Sequence, residues 1–107
     1  MFTRVVHIHT KTGKARELST TLNEKVVPIL KKQTGFVDEI TLVSNTDPDQ
    51  MLALSFWDSE QNAQRYQQEQ FPKINDIVKP FLQGDPRIET FNVDVSTIQK
   101  ISRGKAA

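Results

Sequence analysis

The segment "NTDPDQ" at positions 45–50 constrains the fold of this chain more than any other stretch. Asn, Asp, Pro and Thr are turn residues because their side chains bond nearby backbone or preset φ. On either side lie short β-rich segments, "FVDEITLVSN" at 36–45 and "MLALSFW" at 51–57. Two such runs across a dense turn read as a β-hairpin. A chain of 107 residues makes one domain, so the segments flanking the hairpin have to pack on it.

Upstream, "FTRVVHIHT" at 2–10 alternates in character. Phe2, Arg4, Val6 and Ile8 share one face and Thr3, Val5, His7 and His9 the other, which predicts a first strand with Val6 and Ile8 toward the core. Thr12 is placed as the N-cap of the helix that follows. Over 13–33, Leu18, Leu22, Val26, Ile29 and Leu30 form one helical stripe opposite Lys14, Arg16, Glu17, Glu24, Lys31 and Lys32. Pro28 removes a backbone donor inside that stripe and predicts a kink or break near Val26–Val27; Gly35 is the C-cap candidate.

In the hairpin, Phe36, Ile40 and Leu42 are grouped on one face of the first strand. In the second, Leu52, Leu54 and Phe56 are expected to meet the helices, with Met51, Ala53, Ser55 and Trp57 on the opposite side. Downstream, Asp58 or Ser59 caps a second helix with Glu60 in its first turn, and Ala63, Tyr66 and Gln70 mark its inner stripe. Pro72 interrupts it, and a further helical piece over about 74–82 carries Ile74, Ile77, Val78 and Phe81. Residues 87–98 read as a last strand, alternating Phe91, Val93 and Val95 with Thr90, Asn92 and Asp94.

Strand, helix, strand, strand, helix, strand is the order of the ferredoxin-like βαββαβ fold, an α+β architecture. It predicts a four-stranded antiparallel sheet with two helices on one face. The domain is set at 1–98, with 99–107 a flexible basic tail carrying Lys100, Arg103 and Lys105. The second sheet face, expected to hold Val5, Met51, Ala53, Trp57 and some of Val37 and Val43, has no cover from the same chain. Such an apolar face predicts a homodimer, sheet against sheet.

Composition removes several classes of function. Fourteen Lys and Arg against thirteen Asp and Glu give a net charge of +1, a balance that makes no electrostatic case for a nucleic-acid partner. Zero cysteines exclude disulfides and thiolate chemistry. No apolar run reaches the length of a membrane span or a signal peptide, so neither is expected and a cytoplasmic location is the default reading.

From "GFVDEITLVSNTDPDQMLALSFWDSEQ" through "FPKINDIVKPFL", the chain resembles the antibiotic biosynthesis monooxygenase-type domains of the dimeric α/β-barrel superfamily. The matching features are Gly-Phe after the first helix, a strand ending in Trp57, then a small or acidic pair, Glu60 and a helix, and Phe71 before a short apolar helix. The resemblance covers roughly residues 2–95. It implies a dimer whose two sheets form a barrel, with a cleft in each protomer between sheet and helices. Some members are cofactor-independent oxygenases acting on aromatic polyketides or quinol-like molecules. Others bind and degrade haem with an Asn on strand one, the Trp closing strand three and a helical His. Here the strand-one position falls at His7 and the helical position near Asn75, so that subgroup's proximal haem ligand is missing.

His7 and His9 face the same way and can serve as a general base near neutral pH. As metal ligands they lack a third partner unless Glu39 or Asp94 supplies one, and two interface polar residues explain them as well; no metal is assigned. The first functional expectation is a cofactor-independent monooxygenase acting on an aromatic or quinol-like molecule. It takes His7 or His9 as base, Trp57 and Phe91 as aromatic walls, and Asn75 or Tyr66 as hydrogen-bond donors. Val5, Tyr66, Phe71 and Phe91 are the expected ligand contacts, with His7, His9, Trp57 and Asn75 as the catalytic set. Two rivals stand beside it: a non-catalytic dimeric domain for a hydrophobic ligand or protein, and haem degradation.

Overall fold

A computed structural model describes residues 1–98 and Ile101. Its elements are β1 (Phe2–His9), α1 (Ala15–Thr21), a π-helical turn (Leu22–Val26), α2 (Val27–Lys31), β2 (Phe36–Val43), β3 (Gln50–Trp57), α3 (Glu60–Glu69), α4 (Phe71–Val78), a 3-10 turn (Lys79–Phe81) and β4 (Arg87–Asn92). The strands form one sheet in the order β2-β3-β1-β4 with every neighbouring pair antiparallel. This is the ferredoxin-like arrangement read from the sequence.

The central turn forms as the residues dictate. Ser44 Oγ accepts from the backbone N–H of Thr46 (3.2 Å) and Asp47 (3.1 Å), and Asp47 Oδ1 accepts from Asp49 N–H at 3.1 Å. These side-chain bonds to nearby backbone hold the loop that joins β2 to β3.

The first helix stays on the sheet through an unusual adjustment. Leu18, Leu22, Val26 and Leu30 are all buried and lie at successive steps of four. In an α-helix a step of four overshoots the turn of about 3.6 residues, so such a stripe drifts around the axis. The π-helical turn at Leu22–Val26 holds more residues per turn and brings the stripe back. Pro28 stands in the first turn of α2, where its missing N–H is tolerated; the helical backbone runs on through Val26 and Val27, changing from π to α turns instead of breaking as the sequence predicts. Thr12 does not cap: the N-cap position is Lys14, with no side-chain bond. Ser59 caps α3, its Oγ accepting from Asn62 N–H at 3.2 Å.

Two expectations about faces are corrected by the register. β1 pairs with β3 so that Phe2 faces Trp57, Arg4 faces Ser55, Val6 faces Ala53 and Ile8 faces Met51. Partners across an antiparallel pair share a face, so Met51, Ala53, Ser55 and Trp57 lie toward the helices. Leu52, Leu54 and Phe56 lie on the other face, the reverse of the sequence reading. Both sets on β3 are apolar enough to be a core, and alternation alone cannot rank them. The second correction is a bulge: β2 slips register between Phe36 and Asp38. Phe36 therefore packs on the helix side against Trp57, whereas Ile40 and Leu42 face outward, and Glu39 is turned inward.

β4 ends at Asn92 rather than continuing to 98, although Val93 N–H still donates to Met1 O at 2.9 Å. The proposed tail 99–107 lies outside the described residues except Ile101, which is buried at 2% exposure.

Gly35 ties β2 to α3. Its φ is +84°, its carbonyl accepts from Asp58 N–H at 2.9 Å, and a Cβ there would fall 2.7 Å from Asn62 Cβ and nearer still to Asp58 Oδ1. Gly35→Ala combines a left-handed φ with a clash and is expected to destabilise the fold by about 1–3 kcal/mol. Urea unfolding checks this; an unchanged midpoint would show that the loop relaxes freely.

Candidate functional site

β3 is the strand that makes room. Its inward residues Ala53 and Ser55 are small, and above them the sheet and helices leave a cavity of about 60 Å³. Its apolar wall includes Val6, Ile8, Leu22, Val26, Ile74 and Val78. Into this wall are set five polar groups: Arg4, Glu39, Ser55, Tyr66 and Asn75. Apolar concavities with a few converging polar groups are the usual form of a small-molecule site.

Arg4 is the most unusual of them. It is 3% exposed, on the same strand face as Val6 and Ile8. Its guanidinium lies 5.0 Å from the Tyr66 ring centroid and 4.8 Å from that of Phe71. Arg4 Nη2 donates to Gln67 Oε1. Among the described residues no carboxylate forms an ion pair with it. Burial lowers its pKa from the ordinary arginine value, while the Tyr66 hydroxyl beside it works the other way.

Burial pushes the Tyr66 phenol up to about 12; Arg4 opposes that rise and the negative charge of Glu39 adds to it. The Glu39 carboxyl is raised above the usual glutamate value, chiefly by burial. The hydrogen bond from Thr41 Oγ1 to Glu39 Oε1, 2.6 Å, pulls the other way and Asp38 adds to the rise. Asn75 Oδ1 is buried with no hydrogen-bond partner among the described residues. Behind these groups Trp57 is fully buried, 4.9 Å from the Tyr66 ring and 5.6 Å from Phe36, with Nε1 donating to Ser55 Oγ at 2.9 Å.

A family model described as antibiotic biosynthesis monooxygenase matches residues 1–72. The chain belongs to that family. Among solved structures it is similar to the monooxygenase ActVA-Orf6 of Streptomyces coelicolor, solved with nanaomycin D (TM-score 0.77, 17% identity, 91% of this chain and 90% of that one). It is also similar to SnoaB, a cofactor-independent oxygenase of Streptomyces nogalater, in an N63A mutant (TM-score 0.75, 15% identity, 92% and 97%). A conserved protein of Methanosarcina mazei Go1 matches too (TM-score 0.68, 20% identity, 85% and 91%). Among curated proteins none matches the sequence. At these identities the structural likeness carries the fold alone.

Against this antibiotic biosynthesis monooxygenase fold, the residues singled out in the sequence divide between two faces. Tyr66, Phe71 and Asn75 line the cavity. Trp57 stands behind Tyr66 rather than at a dimer-facing edge, because the register turns it inward. His7, His9, Val5 and Phe91 lie on the face away from the helices. There His7 Nε2 is 2.6 Å from Glu89 Oε1, Arg87 Nη1 is 2.8 Å from the same oxygen, and Arg87 Nη2 is 3.3 Å from His7 Nδ1. Among the described residues no three His, Cys, Asp or Glu side chains converge as a metal site, and no helix is long and apolar enough to cross a membrane.

Haem does not fit the cavity residues. Both histidines are across the sheet, Asn75 takes the helical position, and the Tyr66 phenol is held protonated by burial. The sequence reading passed over the roles of Arg4, Gln67 and Ser55, and considered Glu39 only as a metal ligand. Arg4 carried a signal: an arginine in phase with two core residues of a strand is a charge at a core position.

Tyr66 is the one tyrosine of the chain, so alkaline absorbance near 295 nm reports it without ambiguity. Its ionisation is expected at about 12, and Arg4→Met should move it higher still by removing the nearby cation. Ionisation at the ordinary tyrosine value of about 10 in the folded protein would contradict the burial described.

Proposed function

We propose that the chain is a cofactor-independent monooxygenase that oxidises an aromatic or quinol-like small molecule between the sheet and the helices. The observation that carries this reading is the Arg4 guanidinium, buried and without a carboxylate partner among the described residues, in a cavity that is otherwise apolar. Family membership and the fold shared with two Streptomyces oxygenases support it.

The chemistry asks for three things, and the cavity offers a residue for each. A ring CH2 or phenol made acidic by its neighbours gives up a proton. Glu39, whose burial makes it a stronger base than an ordinary carboxylate, takes it. Arg4 and the Asn75 amide hold the resulting enolate or phenolate, being donors already fixed in a water-poor place. The carbanion carbon bonds to dioxygen, the proton returns to the peroxide, and the C–OOH group loses water to leave C=O. One oxygen atom enters the product, the other leaves as water, and the substrate supplies the electrons. The base is assigned to Glu39 rather than His7 or His9 because both histidines face away from the cavity.

Oxygen uptake with a panel of hydroquinones and anthrone-like compounds tests this. Wild type is expected to exceed the buffer rate, and Arg4→Met or Asn75→Ala to lower kcat by about 10²-fold or more, the usual effect of losing a donor to a developing oxyanion. Uptake equal to buffer, or insensitive to both substitutions, would sink the proposal.

We also infer a homodimer through the outer sheet face. On that face Leu42 is 46% and Phe91 51% exposed beside the half-buried Leu52 and Leu54, whereas Val5 and Phe56 are already buried within the chain. Light scattering should give twice the chain mass at micromolar concentration, and Leu42→Asp combined with Phe91→Asp should give the single chain. A wild-type monomer would refute it.

A further inference from the structure

We infer that the cavity recognises aromatic ligands bearing an anionic group, a carboxylate in the first instance, and that Arg4 is the residue that selects them. This deepens the proposed function by naming the substrate class of the same cavity, and it rests on that reading only for the cavity being the working site.

The argument begins with what Arg4 lacks. A guanidinium is always charged, offers five donors in a planar fork, and is suited to grip a carboxylate with two of them at once. Here it is 3% exposed, yet the side chain that accepts from it is a neutral amide, Gln67, with the Tyr66 ring beside it. A buried cation that is not paired with an opposite charge is costly, and proteins ordinarily avoid it. The rings of Tyr66 and Phe71 at 5.0 Å and 4.8 Å offset part of that by cation–π attraction. They do so while leaving the planar fork free to exchange its acceptor. Gln67 is the acceptor that a stronger one displaces.

A second polar group in the same cavity is unsatisfied. Asn75 Oδ1 is buried without a partner among the described residues, so the site holds an acceptor waiting for a donor as well as a cation waiting for an anion. An aromatic acid with a ring hydroxyl meets both: the carboxylate on Arg4, the hydroxyl toward Asn75. Glu39 lines the cavity too.

The place of Arg4 supports the same reading. It lines the inner cavity, and it also lines an outer cleft with Phe2, Glu60, Gln64, Gln67 and Thr90. The Arg4–Gln67 pair therefore stands between the two. As it stands the cavity, about 60 Å³, is smaller than the several hundred Å³ typical of sites for drug-sized ligands. Entry requires part of this wall to move, and an anion that draws Arg4 away from Gln67 moves it.

The probes are 1,4-dihydroxy-2-naphthoate and 1,4-dihydroxynaphthalene, which differ by one carboxylate, titrated calorimetrically without oxygen. Wild type is expected to bind the carboxylate at least tenfold more tightly. Arg4→Met should abolish that preference, the two probes then differing less than tenfold, and an unchanged far-ultraviolet circular dichroism spectrum shows that the variant folds. Gln67→Glu supplies Arg4 with an internal carboxylate and should abolish the preference with Arg4 still present. Equal binding of both probes, tighter binding of the diol, binding of neither, or a tenfold preference surviving in either variant would overturn the inference. Because the titrations exclude oxygen, they are independent of turnover. Preference without oxygen uptake would sink the monooxygenase reading alone, and uptake without preference would sink this one alone.

Discussion

Trp57 decides which way the sheet faces. Its indole is fully buried between sheet and α3, held against Phe36 and Tyr66 and bonded through Nε1–H to Ser55. The indole is the largest side chain of β3, and left in water it forfeits a large apolar burial. With Trp57 inward, the two-residue period of the strand puts Ser55, Ala53 and Met51 inward as well. The two small residues then lie below the helices, and the cavity follows from their size.

The polar part of the site depends on similar alternation in the strands on each side. β1 runs beside β3 in a register that sets Arg4 opposite Ser55, so the guanidinium arrives where the small side chains leave space. β2 reaches the same layer only through its bulge, which turns Glu39 opposite Ser55. One inward position on each of three adjacent strands, at one level of the sheet, makes the polar row. α3 and α4 close it from above with Tyr66, Phe71 and Asn75. Strands and helices hold these side chains more firmly than loops would, which suits a site that works by fixed donors.

How much of this was legible follows from which signals are local. The helical stripe, the turn at 45–50 and the start of α3 are written in neighbouring residues, and each formed as read. The strand order followed from them. What could not be read was sheet parity on β3, where both faces are apolar and the choice is made by contacts with β1 and α3. The bulge at Val37 was likewise hidden, since a bulge has no composition of its own. Those two features moved Trp57 from the outer face to the inner and brought Glu39 into the cavity. His7 and His9 drew attention as residue types, whereas Arg4 mattered by position: a charge in phase with Val6 and Ile8.

The stacking of Trp57 on Tyr66 has an optical consequence. The chain holds one tryptophan and one tyrosine, and their rings are 4.9 Å apart. Light absorbed by the phenol passes to the indole at such a separation, so the ultraviolet emission of the whole protein issues from one spot at the back of the cavity. The groups set directly against that indole are the Tyr66 and Phe36 rings and the Ser55 hydroxyl. The fold has thereby built a lamp into the wall of its own site, with only the Tyr66 ring between it and the Arg4 guanidinium.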